Sequence, residues 1–231
     1  MKAQKQNMQS PTLSRRLVAE FLGTTLLLVA VVGSGIMAER LAGGNVAVAL
    51  LANTVAIGSA LVFLIIMLGP ISGAHMNPAV SLSATLLGDL PKLDGAAYAL
   101  VQVVGGLTGV VLANLMFDLP AFAASTKART GIGIWSGELI ATVGLIGGVI
   151  TVGRRGNVGQ TAAAVAAYIS AGIWFTSSTS FANPAVTIAR TMTDSFTGIR
   201  SADAPIFIIL QLVGAVAGTT VFEWLSPEKK S

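Results

Sequence analysis

The chain contains no cysteine. Disulfides, thiolate metal ligands and cysteine nucleophiles are therefore excluded. Histidine occurs once, at His75, which removes a histidine-rich metal site as well. Charge is also scarce: 10% of the 231 residues are Asp, Glu, Lys or Arg, where a soluble domain carries about 25%. Aromatic residues make up 6%, and no basic run is interleaved with them, so nucleic acid is not an expected partner. No catalytic triad, metal cluster or Gly-rich phosphate loop is recognisable. The chain is not expected to be an enzyme or to hold a metal or other cofactor.

What is present is apolar: 53% of residues are hydrophobic and the mean hydropathy is +0.77. With so little charge, most of the surface must face lipid. Six stretches, roughly 14–38, 46–69, 95–117, 133–153, 159–177 and 204–225, can each reach across a hydrocarbon core ~30 Å thick. The fifth, rich in Ala and Ser, is the least apolar. The 26 glycines suit close helix approach, and doublets such as Gly105-Gly106 inside the spans read as packing positions. Six spans leave both termini on one side. Nine basic residues (Lys2, Lys5, Arg15, Arg16, Lys92, Arg154, Arg155, Lys229 and Lys230) then share that side against five on the other. The bias predicts cytoplasmic termini and a multi-pass protein of the inner (plasma) membrane. Residues 1–13 and 226–231 read as cytoplasmic tails around a single domain over 14–225. The polar, basic start has no following small-residue cleavage site and is not read as a signal peptide.

Two further apolar segments, about 77–87 and 183–193, are too short to span. Each covers ~15 Å at 1.5 Å per residue, so two placed end to end would cross one bilayer. Both start with Asn-Pro-Ala: Asn77-Pro78-Ala79 and Asn183-Pro184-Ala185. Asn is a strong N-cap, and Pro suits the first helical position, where its missing N–H is not needed. These are helix starts, and irregular backbone at membrane depth is tolerated only where it lines a cavity.

The two halves, 14–117 and 133–225, repeat each other at selected places. Glu20 answers Glu138, Asn77 answers Asn183, and Gln102 answers Gln211, at offsets of 118, 106 and 109 residues. Each half holds an odd number of spans, so the second inserts upside down relative to the first. Two helix starts then meet at the midplane with their positive dipole ends. If each Asn oxygen caps its own helix, its NH₂ faces the pore as a donor. Neutral hydroxylated molecules would find a partner there, and cations and protons a positive field. Inverted repeats also build ion-coupled transporters, and that alternative stays open. So does a non-conducting structural membrane protein.

These residues resemble the aquaporin and aquaglyceroporin family, the major intrinsic proteins, over 14–225. The stretch Ile71-Ser-Gly-Ala-His-Met-Asn-Pro-Ala-Val80 is similar to that family's first pore loop. The resemblance implies an all-α membrane fold of six transmembrane helices plus two re-entrant half-helices, assembled as a homotetramer in the lipid bilayer. It implies that Glu20 and Glu138 brace the pore loops; a proton relay or a salt bridge is the alternative for an intramembrane carboxylate. It leaves His75 as either a structural or a pore-lining residue. By counting from the two motifs, it places an outer selectivity filter at Ile57, Ala171, Ser180 and Val186.

Position 186 departs from the family, most of whose members carry arginine there. Val186 implies a wide, weakly polar filter. Arg190, four residues on, is either a displaced filter arginine in the outer vestibule or a headgroup or Asp194 partner. Phe181-Ala-Asn-Pro-Ala-Val-Thr-Ile-Ala-Arg190 is similar to bacterial members linked to arsenic resistance. That likeness implies a channel for small neutral solutes: arsenite, methylated arsenicals, glycerol and water. A water-selective or general polyol channel is the alternative.

Overall fold

The computed structural model describes residues 11–227 and is entirely helical among them. Eight helices follow in order: α1 (Leu13–Leu41), α2 (Val46–Ser72), α3 (Pro78–Leu87), α4 (Lys92–Met116), α5 (Ile132–Gly153), α6 (Val158–Phe175), α7 (Pro184–Arg190) and α8 (Ala204–Leu225). Six of them are long and apolar enough to cross a membrane. The expected tails lie largely outside the described residues.

Local chemistry sets the boundaries. Asn45 accepts the N–H groups of Ala47 and Val48 at the start of α2, and Asn157 with Gln160 forms a capping box at the start of α6. Gly73 (φ 88°) and Gly88 (φ 86°) end α2 and α3 in the left-handed conformation that glycine adopts without penalty. The second short helix stops at Arg190 and not at 193. There the carbonyls of Thr191 and Met192 are taken by the N–H groups of Ser125 and Ala123 in the α4–α5 loop. This inter-loop pairing replaces the next helical turn.

Packing follows the repeat. In the first half α1 lies against α4; in the second α5 lies against α8; and α2 and α6 meet across the halves. The small residues sit at these crossings. A Cβ added to Gly105 would lie 2.5 Å from the Phe21 carbonyl oxygen, and one on Gly109 2.3 Å from that of Thr25. The second half matches: at Gly214 the Leu139 oxygen would be 3.0 Å away, and at Gly218 the Val143 oxygen 2.9 Å away. Helices that touch backbone to backbone gain dispersion contacts, the main attraction left between helices in lipid. The short α3 and α7 both insert between α4 and α8, so the two Asn-Pro-Ala starts meet inside the bundle.

Candidate functional site

One cavity of about 290 Å³ is lined by both halves of the chain, from Gly153 and Thr161 at one end to Thr179 and Arg190 at the other. Its walls are aliphatic, with Leu27, Val31, Leu61, Ile65, Leu145 and Val165 among them. Its polar groups are concentrated in the two loops that precede α3 and α7.

Those loops hold an unusual backbone. Ala74 (φ 49°) and Met76 (φ 48°) are left-handed without being glycine, and so are Ser180 (φ 49°) and Ala182 (φ 46°), at the same offset of 106 residues. Each such residue costs about 1–3 kcal/mol and persists only where the surroundings impose it. The imposing groups are two fully buried glutamates. Glu20 Oε1 accepts the Ser72 hydroxyl (2.6 Å) and the His75 N–H (2.9 Å). Its Oε2 accepts the Met76 N–H (2.6 Å) and Gln102 Nε2 (2.8 Å). Glu138 accepts the N–H groups of Phe181 and Ala182, each at 2.9 Å, and Gln211 Nε2 at 2.7 Å. Holding these N–H groups fixes the peptide planes of both loops. Hydrogen bonds to charged groups contribute about 1.5–3 kcal/mol each, enough to offset the backbone strain. Neither glutamate forms an ion pair among the described residues.

The glutamines complete a network that sequence reasoning used only as a repeat marker. Gln102 also donates to Ser81 Oγ (3.0 Å), and Gln211 to Thr187 Oγ1 (2.9 Å). Two fully buried glutamines at matched positions of apolar spans were the available signal, because a buried amide must find partners.

Asn77 and Asn183 meet at the centre. Asn77 Oδ1 accepts the Ala79 N–H (2.8 Å), and Asn183 Oδ1 accepts those of Ala185 (3.0 Å) and Val186 (3.3 Å). Pro78 and Pro184 occupy the first helical positions. The amide nitrogens are less free than the sequence suggested. Asn77 Nδ2 donates to the Ala182 carbonyl and Asn183 Nδ2 to the Met76 carbonyl, both at 2.8 Å. The bonds cross between halves and lock the loops together. Each NH₂ keeps one hydrogen for the cavity, which both residues line.

Of the four counted filter positions, Ile57, Ser180 and Val186 are buried and line the cavity. Ala171 does not: it is exposed on the outside of α6. A count along the chain does not fix the rotation of α6. A Cβ on Gly172 would stand 2.7 Å from Ser180 Oγ, so Gly172 backs onto the loop, and Ile173 presents the next side chain to the cavity. A helix turns about 100° per residue, so a slip of one moves a side chain from wall to lipid. His75 lines the cavity, contacts Ser81 Oγ through Nδ1 (3.1 Å) and packs edge-on to Tyr98 at 5.4 Å.

Arg190 is buried and lines the cavity. Its Nε donates to the Thr197 carbonyl, and its guanidinium carbon lies 3.4 Å from the centre of the Phe181 ring. Asp194, the alternative partner, instead accepts the N–H (2.9 Å) and hydroxyl (3.0 Å) of Thr126. Arg129, in the α4–α5 loop, also lies over Phe181, at 4.9 Å.

The major intrinsic protein family model matches residues 7–180 and 152–230. The aquaglyceroporin AqpS of Rhizobium meliloti (strain 1021) is 51% identical to the chain, covering 94% of it and 93% of that protein. Aquaporin AqpM of Methanothermobacter marburgensis is 30% identical, covering 94% and 99%. The fold is similar to the X-ray structure of the aquaglyceroporin from Plasmodium falciparum, with a TM-score of 0.68 and 23% identity, covering 91% of this chain and 94% of that one. A cavity shared between inverted halves, two crossed Asn-Pro-Ala starts and these matches agree, and the chain belongs to the major intrinsic protein family of membrane channels.

Proposed function

We propose that the chain is a passive channel for small uncharged solutes, passing water, glycerol and hydroxylated metalloid acids such as arsenite and methylated arsenicals. The carrying observation is Val186, an aliphatic side chain on the cavity wall directly after the second Asn-Pro-Ala. Arginine there would narrow the passage and hold a charge against it. The loop carbonyls accept hydrogen bonds from solute hydroxyls, and Asn77 and Asn183 donate to solute oxygens. The positive ends of α3 and α7 oppose cations. A polyol or a trihydroxy metalloid acid, which both donates and accepts, replaces its hydration along such a wall.

A coupled transporter would have to bind its ion at Glu20, Glu138 or His75, and each already has structural partners: Glu20 takes four donors, Glu138 three, and His75 contacts Ser81 and Tyr98. The R. meliloti relative is an aquaglyceroporin, which favours polyol passage. A homotetramer in the inner membrane with cytoplasmic termini is part of the same proposal.

Stopped-flow light scattering on proteoliposomes tests it. The expected outcome is flux of water, glycerol and arsenite through the native chain, and loss of glycerol and arsenite but not water in Val186→Arg. Rapid water flux with negligible glycerol flux in the native chain would sink the proposal. So would an unchanged size range in the variant.

A further inference from the structure

At its Gly153 end the central cavity adjoins a second one, of about 300 Å³. His75, Val80, Val149 and Gly153 line both spaces. A solute moving from one to the other therefore passes between these four residues. Val80 and Val149 offer it only methyl groups. A Cβ on Gly153 would meet nothing within 4 Å, so that side of the junction is open. His75 is the one polar side chain of the four.

The inverted repeat puts a ring at this place. At the offset of 106 residues His75 answers Phe181, and at 109 residues Tyr98 answers Phe207. Both pairs pack edge-on, His75 to Tyr98 at 5.4 Å and Phe181 to Phe207 at 5.3 Å. Each end of the central cavity thus carries one ring held from the side by another. The ring at the Arg190 end is apolar, whereas the ring at the Gly153 end has two nitrogens.

A chain of hydrogen bonds decides which nitrogen carries the proton. Glu20 Oε2 accepts Gln102 Nε2 (2.8 Å), which fixes the orientation of that amide. The second hydrogen of the amide goes to Ser81 Oγ (3.0 Å). Ser81 is buried, and the remaining side-chain partner of its Oγ among the described residues is His75 Nδ1, at 3.1 Å. Donation of the Ser81 hydroxyl to Nδ1 satisfies both atoms. With the proton on Nδ1, two donors would converge on one oxygen and the hydroxyl hydrogen would be left without an acceptor. A neutral imidazole has a single N–H, and it then belongs to Nε2. Nε2 takes no protein partner among the described residues and is not a buried atom, so it opens on the space that His75 lines. Gly73 seats this edge of the ring, since a Cβ there would stand 3.0 Å from Nε2.

We propose that His75 is a specificity-determining residue of the passage, its Nε2–H donating to an oxygen of each solute that crosses between the two cavities. This rests on the channel reading above and adds a side-chain donor to Asn77 and Asn183. A solute sheds hydration water at a junction walled by valines, and the imidazole N–H replaces one of the lost bonds. Polyols and neutral hydroxy acids, which present an acceptor oxygen, are thereby favoured over apolar molecules of the same size.

His75 is the only histidine of the chain, so nitrogen-15 labelling of histidine yields one imidazole. Long-range proton–nitrogen NMR on the full chain in detergent, at about pH 8 where an ordinary histidine is neutral, is expected to show the Nε2–H tautomer with Nδ1 as bare acceptor. Glycerol added to that sample should shift the Nε2 signal, a readout that needs no conduction. In proteoliposomes His75→Met, which has no donor, should lower glycerol flux by roughly fivefold, the weight of one hydrogen bond. His75→Gln, nearly the same shape but carrying an NH₂, should restore most of it, and a purely structural role would not separate the two variants by their donor. Should the native chain pass no glycerol, the channel reading falls while the two NMR results still decide the donor. The proposal is overturned if Nδ1 carries the proton, if glycerol leaves the Nε2 signal unmoved, or if the Met and Gln variants of a conducting chain pass glycerol alike.

Discussion

Glu138 shows how one side chain shapes a passage it does not touch. It is fully buried among α5, α8 and the loop before α7, and its oxygens take three donors. Replacement by Gln exchanges one acceptor oxygen for an NH₂ that faces other N–H groups. At least one buried donor is then orphaned, at about 1–3 kcal/mol, and the left-handed residues Ser180 and Ala182 lose their restraint. Glu138→Gln is expected to lower the midpoint of thermal unfolding in detergent and to reduce solute flux together. An unchanged midpoint with full flux would show that the loop holds its shape without the carboxylate. His75 stands differently. Its contacts with Ser81 and Tyr98 satisfy it structurally, while its position on the cavity wall also lets it meet a solute.

At the scale of the helix, close packing is carried by glycines that admit a neighbouring backbone. Gly109 of α4 meets the Thr25 carbonyl and Leu28 of α1. Backbone cannot swing aside as a flexible side chain can, so a larger residue there must separate the helices. Gly109→Val should cost about 1–3 kcal/mol or more as overpacking, seen as a lower unfolding midpoint. Gly148 is the control, because a Cβ there meets nothing within 4 Å. Gly148→Ala should leave the midpoint level or raise it slightly, since Ala is the better helix former. Equal losses at both positions would refute the packing account. The sequence marked most helices clearly, because apolar length is a one-dimensional property. It placed the start of α4 three residues late, at 95 against Lys92, and carried α7 on to 193. The first error is an ordinary boundary uncertainty, and the second arises because the α4–α5 loop captures the carbonyls of Thr191 and Met192, just past the end of α7.

Across the whole molecule, the loops at the Arg190 end of the cavity are fastened to each other by carboxylates. Two N–H and O–H donors of Thr126 hold the exposed Asp194 carboxyl below its ordinary value. At Asp203 burial pushes upward, but the Arg200 guanidinium and the Arg129 N–H outweigh it and the net direction is down. A depressed carboxylate contributes stability above its unfolded value, near 3.8. That contribution is lost as pH falls from there through the folded value. Protection of the Thr126 and Arg129 amides against hydrogen exchange, corrected for intrinsic rates, should therefore stay constant above about pH 5. It should drop on acidification below the ordinary carboxylate range. Constant protection through that range would remove these ties from the account.

The amino-acid sequence by itself determined the six spans, the two short helix starts, the inverted repeat and the family resemblance. Each is written in composition or in local spacing, and lipid enforces them without reference to any particular neighbour. Three matters were decided only by the tertiary structure. The Asn77 and Asn183 amides each spend a hydrogen on the opposite loop, a bond between residues more than 100 positions apart. Ala171 turns away and Gly172 backs onto Ser180, because the rotation of α6 depends on its packing and not on a count from Asn183. Arg129, from the α4–α5 loop, and Arg190, at the end of α7, arrive at one ring. A passage is a property of surfaces brought together from distant parts of the chain, so its outline could be foreseen from the motifs while its chemistry around Phe181 could not.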